Sequence, residues 1–218
     1  DMTIKRGEKV AFVGKNGEGK STLVKCIMGE IPFDGNLKIG HNVQIGYFAQ
    51  NQAQLLDESL TIFETIDQVA KGDMRLKIND LLGAFMFGGE TSEKKVKVLS
   101  GGERSRLAMI KLLLEPVNLL ILDEPTTYLD ICHQLEVLEL VSKLNREENI
   151  TIIMVLHDIN QAVRYSSEIF VLENGIIERQ GTPIDVMTHD AIADIFEVDA
   201  DVEMRKGRPS ISINGLLD

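Results

Sequence analysis

A glycine-rich stretch near the start of the chain has residue types and spacing that hold phosphate groups. Residues 14–22 read Gly-Lys-Asn-Gly-Glu-Gly-Lys-Ser-Thr, a match to G-x4-G-K-S/T. Glycines let successive backbone N–H groups curl around a phosphate without Cβ clashes. We expect Lys20 to reach the β- and γ-phosphates and the Ser21 hydroxyl to ligate Mg²⁺. The predicted phosphate-binding residues are Gly14, Asn16, Gly17, Gly19, Lys20, Ser21 and Thr22.

The alternative is a chance match in a flexible turn, which occurs in on the order of 1 % of chains of this length. The flanking residues favour the phosphate loop, because residues 9–13 are apolar like a buried strand and residues 20–28 read as a helix. A helix that starts at the loop adds the positive end of its dipole to the site.

A second candidate lies where the apolar run 119–122 is followed by Asp123 and Glu124. Continuous apolar runs are typical of central parallel strands. Asp123 is predicted to hold the magnesium, directly or through water, and Glu124 to polarise the attacking water as a general base. A strand that ends in an ordinary solvated turn is the alternative. The phosphate loop upstream favours the catalytic interpretation.

A third candidate is the sequence Leu-Ser-Gly-Gly-Glu at residues 99–103, at the start of a predicted helix. Ser100 is suited to cap the helix, and Glu103 three residues later completes a capping box. Gly101 and Gly102 expose backbone N–H groups, so the same helix start is also a candidate anion site. The sequence leaves both interpretations open.

The elements that must position these residues alternate along the chain, which predicts an α/β fold with a mostly parallel sheet covered on both faces. Residues 37–39 and 43–48 suggest a short antiparallel pair, and Glu-Asn-Gly between two apolar runs suggests a hairpin. A mainly helical block interrupts the sheet, and residues 203–218 are expected to form a tail. The remaining predicted strands cover 119–122, 150–156, 169–172 and 176–179, and the main helices cover 101–114, 131–144 and 159–165.

The bulk composition limits the classes of function. The 218 residues fit one large α/β domain, or one domain plus a subdomain, and the net charge is −11. Direct nucleic-acid binding is not expected, because phosphate contacts need Lys and Arg to release counterions. No apolar run approaches the roughly 20 residues that cross a bilayer, and no signal peptide is evident. We therefore predict a cytoplasmic protein.

The order of these motifs resembles that of the ATP-binding cassette (ABC) ATPases over nearly the whole chain. The resemblance adds Gln50 after a strand, Leu129-Asp130, and His157 after an apolar strand. It implies a P-loop NTPase fold in a single domain, with a core at 1–56 and 115–218 and a helical subdomain at about 57–114. It also implies ATP and Mg²⁺ as ligands, and Mg-dependent ATP hydrolysis.

The resemblance assigns roles to residues whose types alone are ambiguous. Gln50 would ligate the metal, sense the γ-phosphate and contact a partner. His157 would hydrogen-bond the γ-phosphate and position the water, whereas a lone histidine after a strand is more often structural. The signature residues Ser100, Gly101 and Gly102 would bind ATP held by the opposite protomer.

A second ABC domain is therefore the expected partner, in a head-to-tail homodimer that forms with ATP and in which Asp130 belongs to a loop that acts across the interface. Membrane permease subunits or the ribosome are conceivable partners that no particular residue indicates.

The two halves of the chain resemble different branches of the family. Residues up to about Pro125 resemble the F-type translation factors, and residues from there to Val198 resemble ATPase subunits of siderophore or cobalamin importers. One hypothesis is a laboratory-made chimera joined near 123–126. The alternative function is then an engineered scaffold that folds with little or no ATPase activity.

The start of the chain also departs from the family pattern. The family begins with further strands and an aromatic residue that stacks on adenine, whereas Asp1 stands just before the first predicted strand. We expect a truncated N-terminal antiparallel sheet. Because the loss of one base–aromatic stack could cost ~1–3 kcal/mol, we expect weak ATP binding and slow turnover.

Overall fold

The computed structural model describes residues 2–49, 52–127 and 129–217, apart from the side chains at 73, 74, 77 and 84. A six-stranded sheet has the order β2-β3-β4-β1-β5-β6, and a separate hairpin pairs β7 with β8. The strands are β1 Lys9–Val13, β2 Ile45–Phe48, β3 Leu119–Asp123, β4 Thr151–Val155, β5 Glu168–Glu173, β6 Ile176–Gly181, β7 Val198–Arg205 and β8 Arg208–Leu216.

Helices cover both faces of the large sheet. The α-helices are α1 Lys20–Met28, α2 Ile62–Asp67, α3 Ile78–Ala84, α4 Gly101–Leu113, α5 Ile131–Glu148, α6 Ile159–Tyr165, α7 Pro183–Val186 and α8 His189–Phe196. Short 3-10 helices occupy Gln52–Leu55, Gly72–Lys77, Gly89–Glu93 and Val96–Val98. No helix among the described residues is both long and apolar enough to cross a membrane.

The sheet is mostly parallel, as the sequence predicts. Strand β1 pairs in parallel with β4 and β5, and β3 pairs in parallel with β2 and β4, while only β5 and β6 run antiparallel within this sheet. Side chains on β1 alternate between two apolar clusters, so that Ala11 packs on one face and Phe12 on the other. Phe12 makes an edge-to-face contact with Phe170, with ring centroids 5.9 Å apart.

The parallel strands bring the candidate residues to one edge of the sheet. Strands β1, β3 and β4 end in the same direction, and they lead into residues 14–22, residues 123–124 and His157 respectively. Ligands of open parallel sheets bind beyond these carboxyl ends. The topology therefore assembles motifs that lie far apart in the sequence.

The antiparallel pairing predicted between residues 37–39 and 43–48 is wrong. Residues 37–39 form no strand, and β2 pairs in parallel with β3, with Ile45 opposite Leu119. Alternating apolar residues show that one face of a strand is buried but do not specify its partner. Leu37 and Ile39 remain partly exposed, at 41 % each.

Residues 198–216 form a hairpin, where the sequence predicts only a tail beginning at Glu203. Val202 lies opposite Ile211, and a turn at Lys206-Gly207 connects the two strands. Ala200 and Ile211 are buried at 1 % and 6 % exposure, so this hairpin packs onto the core.

Candidate functional site

The glycine-rich loop after β1 has the backbone conformation that its sequence requires. Gly14, Gly17 and Gly19 have φ angles of 146°, 87° and 88°, in the region that favours glycine. A Cβ atom at position 14 would lie 2.2 Å from the carbonyl oxygen of Leu172. The loop therefore curls tightly against β5 and leads directly into α1, which has Gly19 as its N-cap.

Lys20 places a cation inside this loop. Its Nζ donates hydrogen bonds of 2.8 Å to the Gly14 carbonyl and 2.7 Å to the Lys15 carbonyl. Burial lowers the pKa of Lys20, although Glu124, Glu18 and Asp123 act in the opposite direction. Because its acceptors are neutral carbonyls, the positive charge of Lys20 is available to a bound anion.

Asp123, Ser21 and Tyr47 meet beside the loop. The Ser21 Oγ donates to Asp123 Oδ1 at 2.9 Å, and the Tyr47 hydroxyl donates to Asp123 Oδ2 at 3.3 Å. Burial and the neighbouring Asp123 raise the pKa of Tyr47 to about 12. Sequence reasoning missed Tyr47, because alternation along β2 gives no sign that it contacts a residue on the next strand.

The donor set at Ser21 and Asp123 fits magnesium. A hydroxyl and a carboxylate are hard oxygen ligands, and Mg²⁺ usually takes one or two such groups together with substrate phosphates and waters. No cluster of three or more His, Cys, Asp or Glu side chains that could hold a metal occurs among the described residues. The candidates for the remaining ligands of a metal here are a phosphate-bearing molecule, water and Gln50, which falls outside the described residues.

Glu124 and His157 form a close pair at the mouth of the loop. The His157 Nε2 lies 2.7 Å from Glu124 Oε1, and Thr127 Oγ1 donates to Glu124 Oε2 at 3.3 Å. Glu124 has a φ angle of 54°, a conformation that costs a non-glycine residue energy and that clusters at functional sites. This backbone conformation and the two side-chain contacts fix the direction of its carboxylate.

These groups line one cavity of about 150 Å³. The lining residues are Asn16, Gly17, Gly19, Lys20, Ser21, Thr22, Glu124 and His157. The volume is below the roughly 300 Å³ at which pockets for whole small molecules begin, so it suits the phosphate end of a nucleotide. A larger cavity of about 400 Å³ lies at the amino ends of β3 and β4 and contains none of the predicted site residues.

The signature residues Ser100, Gly101 and Gly102 do not line this cavity. Ser100 caps α4 through a capping box, in which Ser100 Oγ accepts from the Glu103 N–H and Glu103 accepts from the Ser100 N–H. An added Cβ at Gly101 would meet no atom within 4 Å, whereas one at Gly102 would lie 2.3 Å from His133 Cγ. The helix start is thus capped as predicted, with Gly101 open to its surroundings.

Asp130 is the N-cap of α5, the helix that packs against the start of α4. Its carboxylate accepts from the His133 backbone N–H at 3.0 Å and lies 2.7 Å from His133 Nδ1. These hydrogen bonds hold the pKa of Asp130 below its usual value. Gln50, the other residue predicted to act on the metal and in catalysis, falls outside the described residues.

Two carboxylates brace the outside of the glycine loop, and sequence reasoning missed both contacts. Glu197, at the end of α8, lies 2.8 Å from the Lys15 ammonium, and Glu18 accepts a hydrogen bond from the Asn174 backbone N–H. Their partners are more than 150 positions apart in the chain, so no local pattern could have indicated them.

Residues 1–127 match the family model described as ABC transporter. Both the order of the motifs and their assembly at the carboxyl edge of the sheet agree with that match. The chain belongs to the ABC transporter family of ATP-binding domains.

Relatives of two kinds align along nearly the whole chain. A petrobactin import ATP-binding protein of Bacillus anthracis is 38 % identical over 96 % of this chain and 84 % of its own length. ABC transporter F family member 2 of Arabidopsis thaliana is 39 % identical over 97 % of this chain and 31 % of its own length. Because both alignments run past residues 123–126, they do not support a chimera joined there.

Solved structures show the same fold. A metal-chelate type ABC transporter in an inward-facing conformation superposes with a TM-score of 0.79 over 99 % of this chain and 88 % of the other, at 20 % identity. A dimeric ATP-binding cassette in a post-hydrolysis state with ADP and Pi superposes with a TM-score of 0.65, at 26 % identity over 83 % of this chain and 88 % of the other. The P-loop ABC ATPase fold is therefore confirmed.

Proposed function

We propose that this chain binds ATP with Mg²⁺ and hydrolyses it to ADP and phosphate. One observation carries the proposal: the glycine loop, Lys20 and the Glu124–His157 pair line the same cavity of about 150 Å³. A phosphate site alone would explain the loop and the lysine. A carboxylate held 2.7 Å from an imidazole at that site adds the means to activate water.

The substrate phosphates are held by backbone amides and one ammonium group. The N–H groups of the glycine loop and the first turn of α1 surround the phosphates, and Lys20 neutralises charge on them. Asn16 and Thr22 line the same cavity and provide polar side chains at its rim. Gly14 lets the loop pass close to the Leu172 carbonyl, which sets the curvature of the cradle.

Ser21 and Asp123 are the proposed ligands of magnesium, directly or through water, with Gln50 as a further candidate. A metal held by these residues would neutralise charge that develops on the phosphate oxygens. Tyr47 donates to the second carboxylate oxygen of Asp123 and so orients it. Ser21 already contacts the other oxygen, so the two ligands are held at neighbouring positions.

Glu124 is the proposed general base. It takes a proton from a water molecule while the water oxygen attacks the γ-phosphorus and the bond to the bridging oxygen of ADP breaks. His157, whose Nε2 lies 2.7 Å from Glu124 Oε1 here, is proposed to turn this nitrogen toward the γ-phosphate when ATP is present. Thr127 then keeps Glu124 in place through its second oxygen.

The active form is proposed to be a head-to-tail dimer of two cassettes. Ser100, Gly101 and Gly102 do not line the cavity of their own chain, and the start of α4 is a capped anion site that a second chain can use. The dimeric cassette structure with ADP and Pi supports the association of two cassettes. The proposed core comprises residues 1–56 and 115–218, and residues 57–114 form the helical subdomain.

A membrane permease is the proposed further partner. The importer relative shares 84 % of its length with this chain and is named for petrobactin import, whereas the F family relative extends far beyond the matched region. Coupling to an import permease places the ATPase on the cytoplasmic side of the membrane.

Steady-state phosphate release from Mg-ATP tests the proposed function. Glu124→Gln keeps the shape of the side chain and removes its basicity, so we expect the rate to fall about 10²- to 10⁴-fold. Glu178→Gln is the matched control, since Glu178 is exposed on β6 and does not line the cavity. Equal rates for the wild type and Glu124→Gln would contradict hydrolysis at this site.

A further inference from the structure

Two glutamines connect the segments that carry the catalytic pair. The Gln161 Nε2 donates to Gln134 Oε1 at 2.6 Å, and the Gln134 Nε2 donates to the Leu129 carbonyl oxygen at 2.9 Å. We call Gln161, Gln134 and the Leu129 carbonyl the amide relay. Both distances are normal or short for hydrogen bonds, so each link is well formed.

The two ends of the relay lie on different catalytic segments. Gln161 is in the first turn of α6, which begins directly after His157, and its backbone N–H is bound by the helix cap Asp158 at 3.0 Å. Leu129 precedes α5 and follows Glu124 by five positions, and its N–H donates to the Thr126 carbonyl. The relay therefore joins the segment after His157 to the segment after Glu124.

Together with the direct contact of the catalytic pair, the relay closes a ring. His157 Nε2 lies 2.7 Å from Glu124 Oε1, and Thr127 donates a hydrogen bond to the other carboxylate oxygen of Glu124. The Leu129 carbonyl, two residues further on, is connected to Gln161 on α6 through Gln134. If His157 turns toward a substrate phosphate, its contact with Glu124 is lost. The amide relay then still connects the two segments by hydrogen bonds, beyond the β3–β4 pairing that ends at Asp123 and Val155.

The Gln161 side chain has one amide atom whose burial lowers the stability of the folded chain. Its Oε1 is buried and has no hydrogen-bond partner among the described residues. A buried acceptor without a partner is destabilising, and an apolar side chain of the same length would avoid that penalty. Stability alone therefore does not account for an amide at this position, whereas its Nε2 is needed to reach Gln134.

We propose that Gln134 and Gln161 are positioning residues that keep the Glu124 and His157 segments in register during ATP hydrolysis. This inference rests on the proposed function and adds a requirement to it. Neither glutamine lines the cavity, so their loss acts through the placement of Glu124 and His157 and not through nucleotide binding. The expected signature is a lower kcat with an unchanged KM for ATP.

The experiment compares three single variants and one double variant. Gln161→Met and Gln134→Met keep the length of an unbranched, helix-compatible side chain and remove the amide. Gln134→Glu keeps the acceptor for Gln161 Nε2 but removes the donor to Leu129. The double variant combines the two methionine substitutions.

A matched control on α6 distinguishes the loss of the relay from a general loss of the hydrogen bonds that attach α6 to its neighbours. Asn160 forms two hydrogen bonds with the Ile211 backbone on the hairpin side of the helix, at 2.9 Å each. Asn160→Leu removes both without touching the relay. It is expected to lower thermal stability while leaving kcat and KM within twofold of the wild type.

The inference predicts that all three single variants lose about tenfold in kcat, with KM for ATP changed less than twofold. The double variant should be no slower than the worse single variant, because both residues act in one chain of contacts. Wild-type kcat in the single variants, losses that multiply in the double variant, or an equal loss in Asn160→Leu would each overturn the inference.

Hydrogen exchange without nucleotide gives a second readout that does not need turnover. The amides of residues 126, 127, 129 and 130 should exchange about tenfold faster in the relay variants and at the wild-type rate in Asn160→Leu. Unchanged exchange in the relay variants would contradict the proposal that the amide relay holds this segment in place. A wild-type rate of phosphate release equal to that of Glu124→Gln would overturn the proposed function and this inference together, whereas an active wild type with fully active relay variants would overturn the inference alone.

Discussion

At the scale of single residues, the site places one lysine among several carboxylates. Lys20 is the cation that lines the cavity in the described residues, and Glu124 lines it too, with Asp123 behind Ser21. The carboxylates repel a triphosphate, and one ammonium group cannot balance both carboxylates and phosphates. Magnesium, the proposed cofactor, would supply the missing positive charge at this site.

The Ser21 hydroxyl should therefore set the magnesium requirement. Ser21→Ala is expected to raise the Mg²⁺ concentration for half-maximal hydrolysis by about tenfold, since one ligand is lost and Asp123 loses its partner. Titrations of phosphate release against Mg²⁺ measure this shift. Ser59→Ala, remote from the cavity, serves as the control, and a Ser21→Ala curve that overlays the wild type would argue against Ser21 as a ligand.

At the scale of elements, α4 and α5 pack so closely at Gly102 that an added Cβ atom would overlap the His133 ring. Gly102 faces the His133 ring, and one turn further along, Arg106 lies 3.3 Å from Glu136 and above the Phe87 ring at 4.9 Å. This contact joins the start of α4 to the segment capped by Asp130. Substitutions at the helix contact should therefore affect both the start of α4 and the segment capped by Asp130.

Two adjacent glycines provide a matched test of this contact. Gly102→Ala should lower the free energy of unfolding by about 1–3 kcal/mol, because its Cβ would overlap the His133 ring. Gly101→Ala meets no atom within 4 Å and should be neutral or slightly stabilising, since alanine is the better helix former. Urea unfolding of both variants measures the difference. Equal effects would show that the two helices do not pack as described.

Lys9 on β1 gives stability a defined dependence on pH. Burial, with Arg146 and Arg208 nearby, lowers the pKa of Lys9 to about 8, while its Nζ donates to Ser142 at 2.7 Å. The unfolded chain keeps this proton up to a pH near 10.5. The folded state binds fewer protons between these values, so the contribution of Lys9 to stability rises with pH across that window.

The wild type should gain stability relative to Lys9→Met between pH 7 and pH 9, by about 0.5–1 kcal/mol after a discount for partial solvent access. Urea unfolding of the two proteins at several pH values measures the difference. Because the other titrating groups are the same in both proteins, their contributions to the pH dependence of the free energy of unfolding cancel in the difference. A difference that stays constant with pH, or moves in favour of the variant, would refute the assigned pKa.

At the scale of the whole molecule, the start of α4 is the proposed anion site, and its residues do not line the proposed nucleotide cavity of the same chain. In the proposed head-to-tail dimer, each helix start would lie at the other chain's cavity, and two nucleotides would complete the interface. Association should therefore depend on nucleotide, since ligands that bind only the dimer stabilise it by mass action.

Sedimentation of Glu124→Gln tests this association. With Mg-ATP the variant should sediment as a dimer, because slow hydrolysis preserves the nucleotides that join the chains, and without nucleotide it should sediment as a monomer. Glu124→Gln combined with Lys20→Ala should stay monomeric in both conditions. A variant that remains monomeric with saturating Mg-ATP would contradict the head-to-tail dimer.

The sequence predicts the parallel sheet and the location of the cavity because both depend on local patterns. Glycine spacing identifies residues 14–22, and an apolar run followed by two carboxylates identifies Asp123 and Glu124. The partner of β2, the β7–β8 hairpin and the Gln161–Gln134 contact could not be predicted. Each depends on which distant segments become neighbours, and alternation or residue type carries no such information.

A crystal structure of Glu124→Gln grown with ATP and Mg²⁺ tests the central claim most directly. We predict phosphate density within hydrogen-bonding distance of the backbone amides of residues 14–22 and of Lys20, with a metal ion beside Ser21 and Asp123. Nucleotide bound elsewhere, or a glycine loop that stays empty at saturating ATP, would contradict the account.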